Sequence, residues 1–489
     1  MVTTSNLRAR RNAAQLHALV GVEREIKAND CSSSRKYLRE FSQAFRSYEA
    51  VISAENLERA VHAADTILIG DYHALPASQR FAAAALELRA QPGDRPVVLG
   101  VETIFARDQH IVDEWWRREI DEGEFRRRIR FDLEWGYAWE PFYELLVTAR
   151  EHGEAIYGLD CMPREDLRKI GARDRHAAHK IAEIRMRHPR AAIMVLFGES
   201  HLAPRHLPYQ LGKALPNEKM LTVLQNVDAL YWQAAGERQE RVDVVQVTDS
   251  VVCTFNSTPL EKYESYRLHL SRWGRGDEEG PDLTPTIYNL IDSLVRFLGI
   301  NRYSPHNTTQ PKFLVDLLPE VCCGHSDEPL AHLLERKGAE EEEIADVLHR
   351  VNERGCAYLP QVNAFYVREF KMVYAAEEAA RFLHHACRGL PRQAKRGQTA
   401  AGAGLALEHA LGYLGSRVLY PARTEESETE THNITDKQRG YALGKAIYDD
   451  YVRGELSQST LRRVFLAHVE DQHTAETLWH ELSSRYGIS

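Results

Sequence analysis

From about residue 63 to residue 255, short apolar runs alternate with amphipathic stretches. Thr66 to Gly70, Pro96 to Glu102, Ala155 to Asp160, Ala191 to Gly198 and Met220 to Gln225 are near-continuous runs of Val, Ile and Leu. Strands covered by helices on both faces read this way. Val242 to Phe255 adds one or two further strands. Between these runs, Pro76 to Ala90, Glu140 to His152 and Arg173 to Arg187 carry apolar positions at helical spacing, and the residues after Glu102 read as helical through Arg130. Strand–helix–strand alternation predicts a mostly parallel sheet flanked by helices, an α/β fold with right-handed crossovers.

The flanks have a different period. Residues 1–62 are predicted as helices, with Leu38, Phe41, Ala44 and Phe45 recurring at helical spacing between Tyr37 and Val51. The polar run Arg272 to Pro285 contains Gly and Pro and reads as a linker. Beyond it, Ile287, Leu290, Ile291, Leu294 and Leu298 form an apolar helical stripe. Further helices are expected over 339–354, 363–388, 403–419, 437–453 and 459–486. A basic, Gly-rich break around Arg392 to Gly404 and an acidic one from Arg423 to Thr435 interrupt them, the second expected to be mobile. The expected division is an N-terminal helical segment (1–62), an α/β domain (63–271) and a helical C-terminal domain (286–489).

Composition narrows the function classes. At 489 residues the chain exceeds one ordinary domain. A net charge of −9 and a pI near 6.2 argue against a general nucleic-acid binder, which is usually basic. Seven cysteines without regular spacing point to a reducing compartment. Cys322-Cys323-Gly324-His325 lacks a second ligand pair at finger spacing and is expected to be a plain loop. No run approaches the ~20 apolar residues of a membrane span. Leu16 to Val20 is too short for a secretory core, so the expected location is cytoplasmic.

Ligands of open α/β sheets bind outside the C-terminal ends of the strands. Here those ends read Gly70-Asp71-Tyr72-His73, Gly100-Val101-Glu102, Gly158-Leu159-Asp160 and Gly198-Glu199-Ser200-His201. Four successive strands deliver ionisable groups to one edge. Two imidazoles beside carboxylates suit borderline divalent metals and acid–base work near neutral pH. Any one such residue is most simply a solvent-facing strand end; the set together points to a site. Arg173-Asp174-Arg175-His176 opens the helix before the fourth strand. Asp174 suits a helix N-terminus, and Arg173 or Arg175 can reach an anionic group in the crevice. The aromatic stretch Trp135 to Tyr143 is either pocket wall or core.

These segments, in this order, resemble the Tiki/erythromycin-esterase-like superfamily, and within it the ChaN-like haem-binding uptake domain. The resemblance rests on Ile69 to His73 with Pro76 and Gln79, Val98 to Glu102, Trp139 to Tyr143, Gly158 to Asp160, Arg173-Asp174, and Gly198 to Leu202 with Leu207-Pro208. It covers about residues 60–260. It implies haem binding and iron acquisition, or, through the superfamily's hydrolases, an active site built on His73, Glu102 and His201. The chain departs from the ChaN pattern in lacking a lipoprotein signal and in carrying the large helical part.

Three readings stay open at this point. In the first, the domain binds haem or another iron-bearing ligand, with Tyr72, His73 and His201 as candidate axial groups. In the second it is a metal-dependent hydrolase of an ester or amide. There His73, Glu102 and His201 hold a divalent ion, Glu199 or Asp160 acts as base, and Arg173 stabilises developing negative charge. In the third the α/β part is a scaffold with a degenerate site. Haem and a divalent ion are both candidate cofactors, and a small molecule is the expected partner. The helical part has three candidate roles, covering the crevice, forming a homo-oligomer or binding a partner.

Overall fold

The structure is a computed structural model. It describes residues 4–30, 36–91, 93–161, 170–237, 242–275, 282–300, 317–324, 327–336, 338–387, 402–421, 423, 435–467 and 472–488. The chain divides into two compact units. One comprises residues 24–276; the other comprises residues 1–23 and 277–489. Among the described residues no helix is long and apolar enough to cross a membrane.

In the first unit eight described strands form one sheet. They are β1 (Ala50–Ile52), β2 (Thr66–Asp71), β3 (Val97–Phe105), β4 (Ala155–Asp160), β5 (Ala192–Gly198), β6 (Met220–Gln225), β7 (Val244–Thr248) and β8 (Val251–Thr254). The order is β1-β7-β8-β6-β2-β5-β3-β4. The ladder from β8 to β4 is parallel throughout, and β7 runs antiparallel to both β1 and β8. The predicted α/β fold is thus observed, and Val242 to Phe255 resolves into two strands.

Side-chain alternation divides the core into two layers. Ile67, Ile69, Leu99, Val101, Met194 and Leu196 face the helices Pro76–Arg89 and Trp139–His152. Leu68, Val98, Ile193, Val195 and Phe197 face the helices Ile170–Arg187 and Leu207–Ala214. Full burial of a side chain such as Phe197 stabilises by roughly 2–3 kcal/mol. The continuous apolar runs arise because both faces are covered.

Residues 37–51 depart from the expected helix. The helix Lys36–Ala44 stops early, and Ala50–Ile52 pairs with Val244–Gln246 as an edge strand. Val and Ile at these positions favour the pleated conformation once a partner edge is present. The linker prediction also changes. The helix Pro259–Arg275 runs into it, the helix Thr284–Leu298 begins before its end, and residues 276–281 lie outside the described residues.

The second unit is mainly helical but contains a three-stranded sheet, ordered β10-β11-β9, from Glu320–Cys323 (β9), Cys356–Leu359 (β10) and Ala364–Val367 (β11). This corrects two expectations. Cys322-Cys323 is strand, not loop, and the stretch 363–388 is a strand followed by the helix Met372–Cys387. Asn363 takes a left-handed turn (φ 49°) that folds β11 back on β10. A four-residue apolar run cannot be told from a helical turn by period alone. Residues 459–486 form two helices, Gln458–Phe465 and Gln472–Tyr486. Most of the basic and acidic breaks lies outside the described residues. Glu377 is fully buried, with Arg354 and Arg423 nitrogens each 2.9 Å from its carboxylate and the Tyr441 hydroxyl at 2.8 Å.

Candidate functional site

The sheet brings His73, Glu102, Asp160 and His201 to one place. Glu102 and Asp160 lie on β3 and β4, and His73 and His201 follow β2 and β5; these strands are neighbours in the order β2-β5-β3-β4. Glu102 does not sit at a strand end as expected. Strand β3 continues to Phe105, and its register against β4 slips between Val101↔Gly158 and Phe105↔Asp160. This bulge re-aims the Glu102 side chain, as bulges beside sites do. Gly158 accommodates it: a Cβ there would lie 2.7 Å from the carbonyl oxygens of Ile104 and Phe105.

Glu102 is the hub and is 3% exposed. Its Oε1 accepts from Arg173 Nη2 at 2.5 Å, and its Oε2 accepts from the Gly198 amide at 2.5 Å. His73 Nε2 lies 3.7 Å from Oε2, and His201 Nε2 lies 3.7 Å from Oε1. Behind each imidazole stands an aspartate: His73 Nδ1 is 2.7 Å from Asp71, and His201 Nδ1 is 2.5 Å from Asp174. Asp71 is in turn held by the Gln79 amide. Two carboxylate-backed imidazoles therefore turn their Nε2 atoms to either side of one glutamate. Gly198 lies at the junction, where a Cβ would meet Glu102 Oε2 at 3.0 Å and His73 Nε2 at 3.3 Å.

Arg173 brings a positive charge to two of these buried carboxylates. Its Nε and Nη2 donate to Asp160 at 2.9 and 2.7 Å, besides the bond to Glu102. Burial pushes the Glu102 carboxyl up, but Arg173 first, then His201 and His73, outweigh it and hold the pKa at about 2. Burial likewise works against the Arg173 charge, and Glu102 and Asp160 more than offset it, so its pKa is raised.

Glu199 and Tyr72 sit on the adjacent flank. Lys262, from the helix Pro259–Arg275, lies 3.1 and 3.2 Å from the two Glu199 oxygens and 4.6 Å from the Tyr72 ring centre. Burial raises the Glu199 pKa, against Lys262. Burial also pushes the Tyr72 phenol well above its ordinary range. His73 packs edge-on against Trp135 (5.0 Å) and beside Tyr137 (5.4 Å), and Tyr137 stacks on His269 at 4.0 Å. Trp135, Trp139 and Phe142 belong to the core, so the aromatic stretch serves as both wall and core.

Three participants were missed. Asp174 read as a helix-start residue, yet the helix begins at Ile170 and Asp174 is buried against His201. The signal was its place one residue after Arg173. Asp71 was visible two residues before His73. Lys262 gave no signal, because a lysine on an amphipathic helix normally faces water.

Among the described residues no three of His, Cys, Asp and Glu are arranged to hold a metal ion, and Glu102 is already engaged by Arg173 and Gly198. The residues as placed do not form a cation cage. Of the two imidazoles, His73 is the one open to a ligand: its side chain is 14% exposed against 4% for His201, its Nδ1 is 2.7 Å from Asp71, and aromatic rings flank it. A carboxylate on one ring nitrogen sets the tautomer that leaves the other as a ligand.

The fold and this edge define an α/β domain with a buried cluster of ionisable side chains at its strand ends. Residues 57–193 match the family model described as haem-binding uptake, Tiki superfamily, ChaN, so this stretch of the chain is similar to that family. The match spans His73, Glu102, Asp160 and Arg173 and stops short of Glu199 and His201. Among solved structures, the chain is similar to one described as cofacial heme binding to ChaN of Campylobacter jejuni. The identity is 15% and the TM-score 0.28, covering 41% of this chain and 91% of that chain. No curated protein matches.

Proposed function

We propose that the α/β unit binds a haem-class ligand, planar and iron-bearing, at the strand-end crevice, with His73 as the contacting imidazole. The observation that carries this is the partly open His73 ring, backed by Asp71 and walled by Trp135 and Tyr137. The ChaN-like match over residues 57–193 favours the same ligand class. Bound haem would supply a redox-active iron and an absorption band in the visible. His201 is more deeply enclosed, and the Tyr72 phenol is held neutral by burial, so both rank below His73 as axial groups. Glu102 and Arg173 set the electrostatics of the floor. Cys161, Cys253, Cys322 and Cys356 are thiols, which agrees with a cytoplasmic location.

A second reading is favoured by one observation, the two Asp-backed imidazoles flanking an ionised Glu102. That arrangement suits acid–base hydrolysis of an ester or amide. His73 takes a proton from water at Nε2, Asp71 steadies the imidazolium, and Arg173 stays with the carboxylates. The deciding experiment is the visible spectrum of the purified protein beside its elemental analysis. A Soret band with stoichiometric iron is expected. A colourless protein that takes up no hemin yet cleaves ester substrates would replace the first reading with the second.

A further inference from the structure

We propose that Lys262 is a positioning residue that fixes both site imidazoles by tying three neighbouring strand ends to one buried ammonium. The proposal rests on the reading of His73 and His201 as the site's imidazole pair.

The helix Pro259–Arg275 follows β8 and carries Lys262 in its first turn. Lys262 is 4% exposed, a rare condition for lysine. Its Nζ reaches both Glu199 oxygens (3.1 and 3.2 Å), the Asn226 carbonyl (3.2 Å) and the face of Tyr72 (4.6 Å). Tyr72 immediately precedes His73 after β2. Glu199 opens the short turn Glu199–Leu202 that carries His201 after β5. Asn226 follows β6 in a left-handed conformation (φ 51°). In the sheet these strands are adjacent, in the order β6-β2-β5. An ammonium has three donors and no acceptor, so it suits a node where a carboxylate, a carbonyl and a ring face converge.

The loop before the helix holds the node in place. The Gln225 amide donates to the Gly70 carbonyl at 2.8 Å, Asn256 Nδ2 donates to Gln225 at 2.7 Å, and the Ser257 amide donates to Asn226 at 2.9 Å. The end of β2, which leads to His73, is therefore stitched through the end of β6 to the start of the helix, and the end of β5 joins it through the Lys262–Glu199 pair. Burial pulls the Lys262 pKa down, but Glu199 and Asp228 outweigh it, so the side chain remains charged. Burying an ion pair wins little stability over an apolar filling, whereas it does fix a geometry. Lys262 touches neither imidazole and acts through Tyr72 on His73 and through Glu199 on His201.

The test uses the full chain labelled with ¹⁵N-histidine and no added ligand. Long-range spectra read the ring nitrogens of His73 and His201, assigned by His73→Gln and His201→Gln. Lys262→Met is expected to displace the ring-nitrogen signals of both imidazoles at neutral pH while leaving most other histidines in place, and Lys262→Arg to restore at least one. Glu199→Gln, which keeps the shape, covers the case that Lys262→Met does not fold. It should move His201 more than His73. Variants that lose stability but leave both ring signals unchanged would overturn the proposal. Because no haem is added, this outcome is separate from the fate of the haem reading.

Discussion

Replacing Arg173 by Met leaves Glu102 and Asp160 buried without their counter-charge. In the native chain Glu102 has a pKa near 2 against an ordinary value of 4.5. A displacement of that size corresponds to roughly 3 kcal/mol of stability at neutral pH. Since the folded pKa is depressed, this contribution is complete above about pH 4.5 and is lost as pH falls towards 2. Without Arg173, burial dominates and the folded pKa rises above 4.5. The sign then reverses: Arg173→Met is least stable at neutral pH and regains stability as pH falls through the raised pKa. Breaking a buried pair costs about 3–5 kcal/mol. We therefore expect a loss of about 3–5 kcal/mol at pH 7, narrowing to under about 2 kcal/mol near pH 4.5 as the orphaned carboxylates protonate. Urea denaturation followed by tryptophan fluorescence measures it, because six of the seven tryptophans lie within residues 24–276. A loss below about 1 kcal/mol at pH 7, or one that stays constant down to pH 4.5, would refute the role given to Arg173.

Gly158→Ala should disturb the β3 bulge, because the new Cβ would sit 2.7 Å from two backbone oxygens that cannot yield locally. A loss of about 1–3 kcal/mol is expected, together with weaker ligand binding, read by denaturation and by titration. In the second unit, Glu377 is held at about 2, since Arg354 and Arg423 outweigh the effect of its burial. Its contribution is present above about pH 4.5 and falls away towards pH 2. Acid titration followed by far-UV circular dichroism should show helix loss in that window, shifted to higher pH in Arg423→Met.

The parallel sheet was legible because its strands are buried on both faces and read as unbroken Val, Ile and Leu runs. His73, His201 and Asp160 were legible because strand ends in such sheets point to one edge. The bulge that aims Glu102 was not, since it depends on how β3 slips against Gly158 in space. Neither was Lys262, whose burial is decided by three strand ends distant in sequence. Asp174 was misread because a carboxylate near a helix start normally faces water; its partner His201 lies 27 residues further on. The strands Cys356–Leu359 and Ala364–Val367 were obscured by their shortness and by the strong helical period that follows.

The central claim is that His73 presents the strand-end site to a haem-class ligand. Titration of the full chain with hemin, followed at the Soret band, tests it most directly alongside His73→Ala. The account predicts saturable binding with a shifted band in the native chain, weakened by about tenfold or more in the variant. Equal binding by both proteins, or no band shift in either, would contradict it.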